Sequence, residues 1–448
     1  MRPRGTTGPL RRASAAWDRF WFAERSLVRL AVFRILVLAL VLADLIAYSS
    51  TALADAAAVS AGTFSKTWTP IYLFEVLGLE PIGIGTARLV YAVALAATCL
   101  GILGLFTRAS CLVAAVLCIY WTGLVYSTGK VHHDKVTLAF TLMALPLAPV
   151  GARLSLDAFL ARLRRARAGG DPRAVPERSG LAGVPLLLCQ LTLAIGYGFS
   201  GVTKIAVSGF EWANGYTLMG ILVRYDNVWS AAVTQSPELC QLLSVGALVT
   251  QGTFPLVLLL PFLRWYYLPA AVAFHVTTWQ AMDTGPYMTL WYLLIAFLPL
   301  ERIPAWVGAR PRSPGRWLFR LGVFLLPTAL VLHVLFLYYP AWFAAFLVPP
   351  AAALLLPLAA PRRLLLLYDG ERPGPRLLAA AVDALDWSGR IELRPAGSGE
   401  CPGLRSATGE PLRGLAAARA LAWRLPLATP LAWLLGFSPG RTSAAPAR

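Results

Sequence analysis

Three short polar stretches carry most of the chemistry this sequence offers. "GKVHHDKVTL", Gly129 to Leu138, holds two of the four histidines and two of the four lysines. "SGVTKIAVSGFEWANGYTL", Ser200 to Leu218, holds Lys204, followed by Trp212, Gly215 and Tyr216. "FHVTTWQAMDTGPYMTLWYLL", Phe274 to Leu294, holds His275. An amine acts as a base only after giving up its proton. A desolvated ammonium can do so, whereas a guanidinium effectively cannot. Imidazole both donates and accepts near neutral pH. The lysines and histidines of these stretches are therefore candidates for proton transfer.

These groups lie in an unusually apolar chain. It has 448 residues, of which 57% are hydrophobic, against about 45–50% in a soluble domain. The excess falls in long blocks, which reads as an all-α polytopic membrane protein. Spans are expected near 27–49, 86–106, 109–127, 132–150, 182–204, 239–260, 264–282, 286–300, 317–338 and 341–360. The eighth is short, and Pro340 splits the last pair, so about eight to ten transmembrane helices are expected. Residues 1–26 read as a basic cytoplasmic tail: the first apolar block starts late and is too long for a cleaved signal.

The net charge of +18 first suggests a nucleic-acid partner, but its distribution argues against one. The arginines cluster between apolar blocks, at Arg108, in 151–180, in 301–316 and at 361–363. Alternation from a cytoplasmic N-terminus puts all of these inside, as positive-inside bias requires. All four lysines, Lys66, Lys130, Lys135 and Lys204, then fall outside, together with the three polar stretches. Intramembrane ionisable groups of this kind mark a pathway or an active site. The expected location is the plasma membrane, multi-pass, with both termini cytoplasmic.

Plainer readings stand beside these. His132 and His133 also suit interfacial caps, Lys204 can snorkel to headgroups, and Trp212 and Tyr216 suit an aromatic belt. Asp44 and Arg34, inside the first span, suit interhelical contacts. Cys99, Cys111, Cys118, Cys189, Cys240 and Cys401 form no C-x-x-C pair and read as packing residues. No metal site is expected, since helical ligand pairs favour i, i+4 spacing.

Residues 20–310 resemble the horizontally transferred transmembrane (HTTM) domain of vitamin K-dependent gamma-glutamyl carboxylases. Gly201, Val202, Lys204, Trp212, Gly215 and Tyr216 match the segment containing the family's catalytic lysine. "VHHDKVTLAF" is similar to its histidine segment, with His133 aligned to the functional histidine, and His275 matches a later His-containing stretch. The resemblance implies a site open to the non-cytoplasmic side. Lys204 and His133 would be catalytic, and His275, Trp212, Gly215 and Tyr216 would bind cofactor. The cosubstrates would be a reduced vitamin K-type quinone, oxygen and carbon dioxide, and the partners membrane lipid and a peptide or small-molecule acceptor. In the carboxylases the lysine deprotonates the hydroquinone, oxygen turns it into a strong base, and a glutamate carbanion takes up carbon dioxide. This chain has Thr203-Lys204 where the family has adjacent lysines, and His132 where it has asparagine. No segment after 310 is expected on the outside to serve as a substrate-binding domain. The alternative is a non-catalytic HTTM protein acting as a maturation, binding or immunity factor.

Residues 311–362 are read as additional transmembrane helices, and 363–448 as a small cytoplasmic α/β domain. The latter resembles the DCC family of thioredoxin-like oxidoreductases, whose signature is Tyr-Asp-Gly-x-Cys-x-x-Cys. Tyr368, Asp369 and Gly370 match, but Arg372 and Pro375 stand at the cysteine positions. Dithiol exchange requires a thiolate, so this copy is expected to be redox-dead.

Overall fold

The computed structural model describes residues 9–60, 68–128, 135–171, 176–282, 288–299, 301, 364–386, 390–397, 399–406, 409–422 and 424–425. The protein is mostly helical with a small C-terminal sheet. It divides into two compact units: Met1–Gly151 with Glu177–Pro299, and Ala152–Pro176 with Leu300–Arg448. The expected spans 317–338 and 341–360 lie outside the described residues.

The first unit begins with α1 (Pro9–Phe22), β1 (Arg25–Ser26), α2 (Leu27–Ser60), α3 (Tyr72–Val76), α4 (Ile84–Leu103), α5 (Thr107–Tyr126) and α6 (Val136–Ala144). The next helix, α7 (Leu156–Arg167), belongs to the second unit. The first unit resumes with β2 (Arg178–Ser179), α8 (Val184–Ser208), α9 (Tyr216–Leu222), α10 (Val228–Thr234), α11 (Pro237–Thr253), α12 (Leu256–Leu259), α13 (Arg264–Met282) and α14 (Met288–Phe297). Most of the stretch read as a basic tail is thus helical, because its apolar residues recur at helical spacing.

Among the described residues three helical stretches are long and apolar enough to cross a membrane: Ile84–Leu103, Thr107–Ser127 and Gly180–Asn214, of 20, 21 and 35 residues. The run expected at 132–150 is shorter, Val136–Leu147, because Pro146 and Pro149 close the helix. The run expected at 239–260 is interrupted between α11 and α12, where Pro255 has no N–H to continue the ladder. In α8, Pro185 sits in the first turn, where the missing donor does no harm.

The helices of this unit pack through small residues. Ala87, Ala94, Ala97 and Gly101 are the buried face of α4, and Leu38 of α2 fills the space over Gly101. Arg34, fully buried on α2, donates to the carbonyls of Val150 at 2.7 Å and Ile102 at 3.5 Å. Such a guanidinium binds the ends of neighbouring helices through their otherwise unpaired carbonyls.

The second unit is built on β3 (Leu364–Tyr368), α15 (Pro373–Leu385), β4 (Ile391–Pro395), β5 (Gly403–Arg405), β6 (Pro411–Leu412) and α16 (Gly414–Ala422). Sheet order is β4-β3-β5-β6: β3 and β4 are parallel, and the other neighbours antiparallel. Leu364, Leu366, Ile391, Leu393 and Leu404 form its core with Ala379 and Val382 of α15. α7, in the stretch read as a loop, packs on α15, and Arg162 Nη1 donates to Asp383 Oδ2 at 2.8 Å. Its sequence explains the helix: Ser155 caps the Ala158 N–H at 2.9 Å, Asp157 lies in the first turn, and Arg164, Arg165 and Arg167 lie in the last.

Candidate functional site

Lys204 sits on the penultimate turn of α8. Its half-buried amine donates to Ser200 Oγ at 2.9 Å, to the Ser200 carbonyl at 3.4 Å and to Gln251 Oε1 of α11 at 2.9 Å. It also stands 5.3 Å from the ring centroid of Trp212, within cation–π range. Three acceptors match the three N–H bonds of an ammonium. No carboxylate among the described residues pairs with it.

Two glycines of the motif create this arrangement. A Cβ on Gly201 would lie 2.6 Å from the backbone nitrogen of Gly252. Only hydrogen there lets α8 and α11 approach closely enough for Lys204 to reach Gln251. Gly215, at φ +84°, turns the chain from the 3-10 turn Gly209–Asn214 into α9. A Cβ there would meet the Gln241 nitrogen at 2.5 Å. Gly215 is therefore covered by α11. That turn carries Trp212 back beneath Lys204. Tyr216 opens α9 and is exposed; its N–H donates to Asn214 Oδ1 at 2.9 Å.

His275, on α13, is buried and shares a hydrogen bond through Nε2 with the Tyr197 hydroxyl. Tyr197 also stacks on Phe254, with ring centroids 4.5 Å apart. Tyr197, Gly201 and Lys204 stand at i, i+4 and i+7 and share one face of α8. Gln251 and Phe254, three apart at the end of α11, meet that face. The Tyr197 and Lys204 contacts thus lie two turns apart on one seam.

His133 lies outside the described residues, as do His132, Asp134 and Lys130. The nearest described residue of that stretch, Lys135, pairs with Asp44 Oδ2 of α2 at 2.8 Å. Among the described residues no group of three or more His, Cys, Asp or Glu comes together as a metal site.

Sequence reasoning missed Gln251 and Tyr197. Gln251 had a signal, being the one amide inside the apolar run "VGALVTQGTFP". Tyr197 had none beyond its spacing from Lys204.

The residues around Lys204 offer two kinds of surface. Ser200 and Gln251 supply polar contacts, Trp212 supplies a ring face, and Val207, Phe210 and Tyr216 on the neighbouring turns of chain are exposed apolar groups. A quinone headgroup needs this combination of aromatic surface and a few polar contacts, so the residues suit one. Comparison with family models, with curated proteins and with solved structures finds no match.

Proposed function

We propose that this chain is a multi-pass membrane enzyme of the HTTM, carboxylase-like kind, in which Lys204 is the base that acts on a reduced quinone from the non-cytoplasmic side. The observation that carries the reading is the setting of Lys204: a lysine inside a long apolar helix, held by a serine, an amide and an indole face instead of a carboxylate. A glutamine is a two-way partner. Its Oε1 accepts from an ammonium, and its Nε2 donates to a free amine after an amide flip. Gln251 therefore serves both forms that a proton-transferring lysine passes through.

A bound hydroquinone supplies an acidic ring hydroxyl and, with oxygen, oxidising chemistry. The chain's own part is to hold the ring against Trp212 and the exposed Phe210 and Tyr216, and to receive the proton at Lys204 Nζ. The three acceptors around Nζ then match the new ammonium. Tyr197 and His275 fix the same seam two turns away, and His133 is the partner of Lys204, able to hydrogen-bond or relay a proton. Carbon dioxide and a peptide or small-molecule acceptor complete the reaction in the carboxylating form.

The topology reading has its own support. α7 and α15 pack as one unit, which supports a reading with residues 152–176 and the C-terminal sheet on one side of a membrane. A cytoplasmic placement for both, with eight to ten spans, is consistent with their arginines. The β3-α15-β4 unit followed by β5, β6 and α16 supports a thioredoxin-like reading of the C-terminal part.

The test is oxygen-dependent epoxidation of a vitamin K hydroquinone by purified protein in nanodiscs. Activity is expected in the wild type and lowered by about 10²- to 10⁴-fold in Lys204→Ala. Undiminished activity in that variant removes the base, and failure to bind any quinone removes the cofactor.

One observation favours a second, non-catalytic reading as a maturation, binding or immunity factor. At the turn where a DCC protein carries its first cysteine, Asp369 Oδ1 accepts from the Glu371 and Arg372 N–H groups at 2.9 and 3.2 Å. The Arg372 side chain pairs with the same carboxylate at 3.3 Å. The place of a thiolate is taken by a self-contained ion pair, which suits a domain kept for binding.

A further inference from the structure

Helix α1 carries a surface that the lysine site does not use. At helical spacing Ala13, Ala16, Trp17, Phe20 and Trp21 fall on one face, and Arg11, Arg12, Asp18 and Arg19 on the other. Residues 11–20 are all exposed, Trp17 at 60%. Trp17 and Phe20 each bring a ring to 5.6 Å from Trp21, which makes a continuous aromatic ridge.

The root of this helix is fixed where two long helices begin. β1 pairs with β2 immediately before α8, and the Leu27 N–H donates to the Glu177 carbonyl at 2.9 Å. A Cβ on Gly180 would lie 2.9 Å from the Phe22 carbonyl oxygen, so the end of α1 is pressed against the entry to α8. The helix therefore leaves the body at the level where α2 and α8 start. In a bilayer that level is the headgroup region.

We infer that α1 docks on an anionic lipid leaflet, with Trp17, Phe20 and Trp21 at the acyl boundary and Arg11, Arg12 and Arg19 against lipid phosphates. Three arginines face one aspartate on the helix, which gives the charge complementarity. Tryptophan and phenylalanine opposite a basic face are what an interfacial helix requires. The inference rests on the membrane reading above and is independent of any role for Lys204.

The test uses the full chain with Cys401→Ser, spin-labelled separately at Trp17→Cys, at Ala15→Cys on the basic face and at Val116→Cys within α5. The protein is placed in nanodiscs of phosphatidylcholine with phosphatidylglycerol, and each label is probed with oxygen and a water-soluble nickel chelate. The Trp17 label is expected to be oxygen-accessible and shielded from nickel, and the Ala15 label open to nickel. Exchanging Arg11, Arg12 and Arg19 for glutamate is expected to return the Trp17 label to nickel. A Trp17 label open to nickel in the anionic discs overturns the inference. So does shielding that survives both the charge reversal and transfer to lipid-free amphipol, because protein would then be the cover. A Val116 label open to nickel removes the membrane premise itself, and catalytic assays of Lys204 variants have no bearing on any of these outcomes.

Discussion

Two lysines of the same unit show opposite ways to keep an amine in apolar surroundings. Lys135 meets the carboxylate of Asp44 at 2.8 Å, with both side chains largely covered. Lys204 meets a serine hydroxyl and carbonyl, the Gln251 amide and the Trp212 ring. A carboxylate supplies a full counter-charge, so the Lys135 pair is a tie between α2 and the start of α6. An amide supplies only a dipole, and one that works in either direction. The first lysine is placed for holding the helices together; under the proposed function, the second exchanges a proton.

The comparison breaks most severely if Lys204 proves dispensable. Lys204→Ala is expected to lower quinol epoxidation by about 10²- to 10⁴-fold, the usual contribution of a positioned acid–base group. Lys204→Arg is expected to be equally inactive despite keeping the charge, since a guanidinium does not give up its proton. Rates for both variants, with quinone binding measured alongside, decide the matter.

Asp44→Leu addresses the other lysine. Removing one partner of a buried ion pair costs about 3–5 kcal/mol, because a charge is left without its counter-charge. A clear fall in the thermal midpoint in detergent is expected. The double variant Asp44→Leu with Lys135→Met is expected to recover most of it. If epoxidation per folded molecule fell as steeply as in Lys204→Ala, Lys135 would not be a mere tie.

Gln251→Glu makes the second lysine resemble the first. A carboxylate within about 4–6 Å favours the charged form of an amine. Epoxidation at neutral pH is expected to fall about 10- to 100-fold, with quinone binding retained and some activity regained at higher pH. Unchanged activity would show that the neutrality of the amide does not matter. Gly201→Val tests the seam itself: the added atoms meet the Gly252 backbone, and overpacking costs about 1–3 kcal/mol. Its midpoint is expected to drop, with a loss of activity exceeding the loss of folded protein.

How much of this was legible in the sequence differs by element. Lys204, Trp212 and Gly215 stood out because their spacing lies within one local stretch, and the structure brings the first two together. Gln251 could not be assigned, since a single amide in an apolar helix does not reveal which neighbour it faces. The Tyr197–His275 contact joins residues 78 apart in the chain, which no local pattern encodes. α7 had its signals, a capping serine and a basic last turn, but they lay in a stretch whose arginines were read only as topology markers. β3 is legible as the apolar run Leu364–Leu367 leading into a turn, and β4 as the alternation Ile391-Glu392-Leu393-Arg394. β5 and β6, at three and two residues, are too short for any alternation to appear.

The smallest expected effect comes from another carboxylate–cation contact, this one in water. Glu400 accepts from the Gly397 N–H at 3.0 Å and from Arg394 at 2.5 Å, in the loop between β4 and β5. The Gly397 N–H, assisted by the Arg394 and Arg405 charges, holds its carboxyl below the usual glutamate range. A carboxyl lowered in the folded state contributes fully above the unfolded value of about 4.3 and loses that contribution as pH falls below it. Hydrogen exchange over residues 394–402 of the full chain is expected to be slower in the wild type than in Glu400→Gln at pH 7, and the difference to vanish toward about pH 3. Exposed pairs are worth little, so the thermal midpoint should barely move. A large shift would mean that solvent does not weaken such pairs here, and that the stability assigned to Asp44 and Lys135 owes less to their apolar surroundings than the comparison holds.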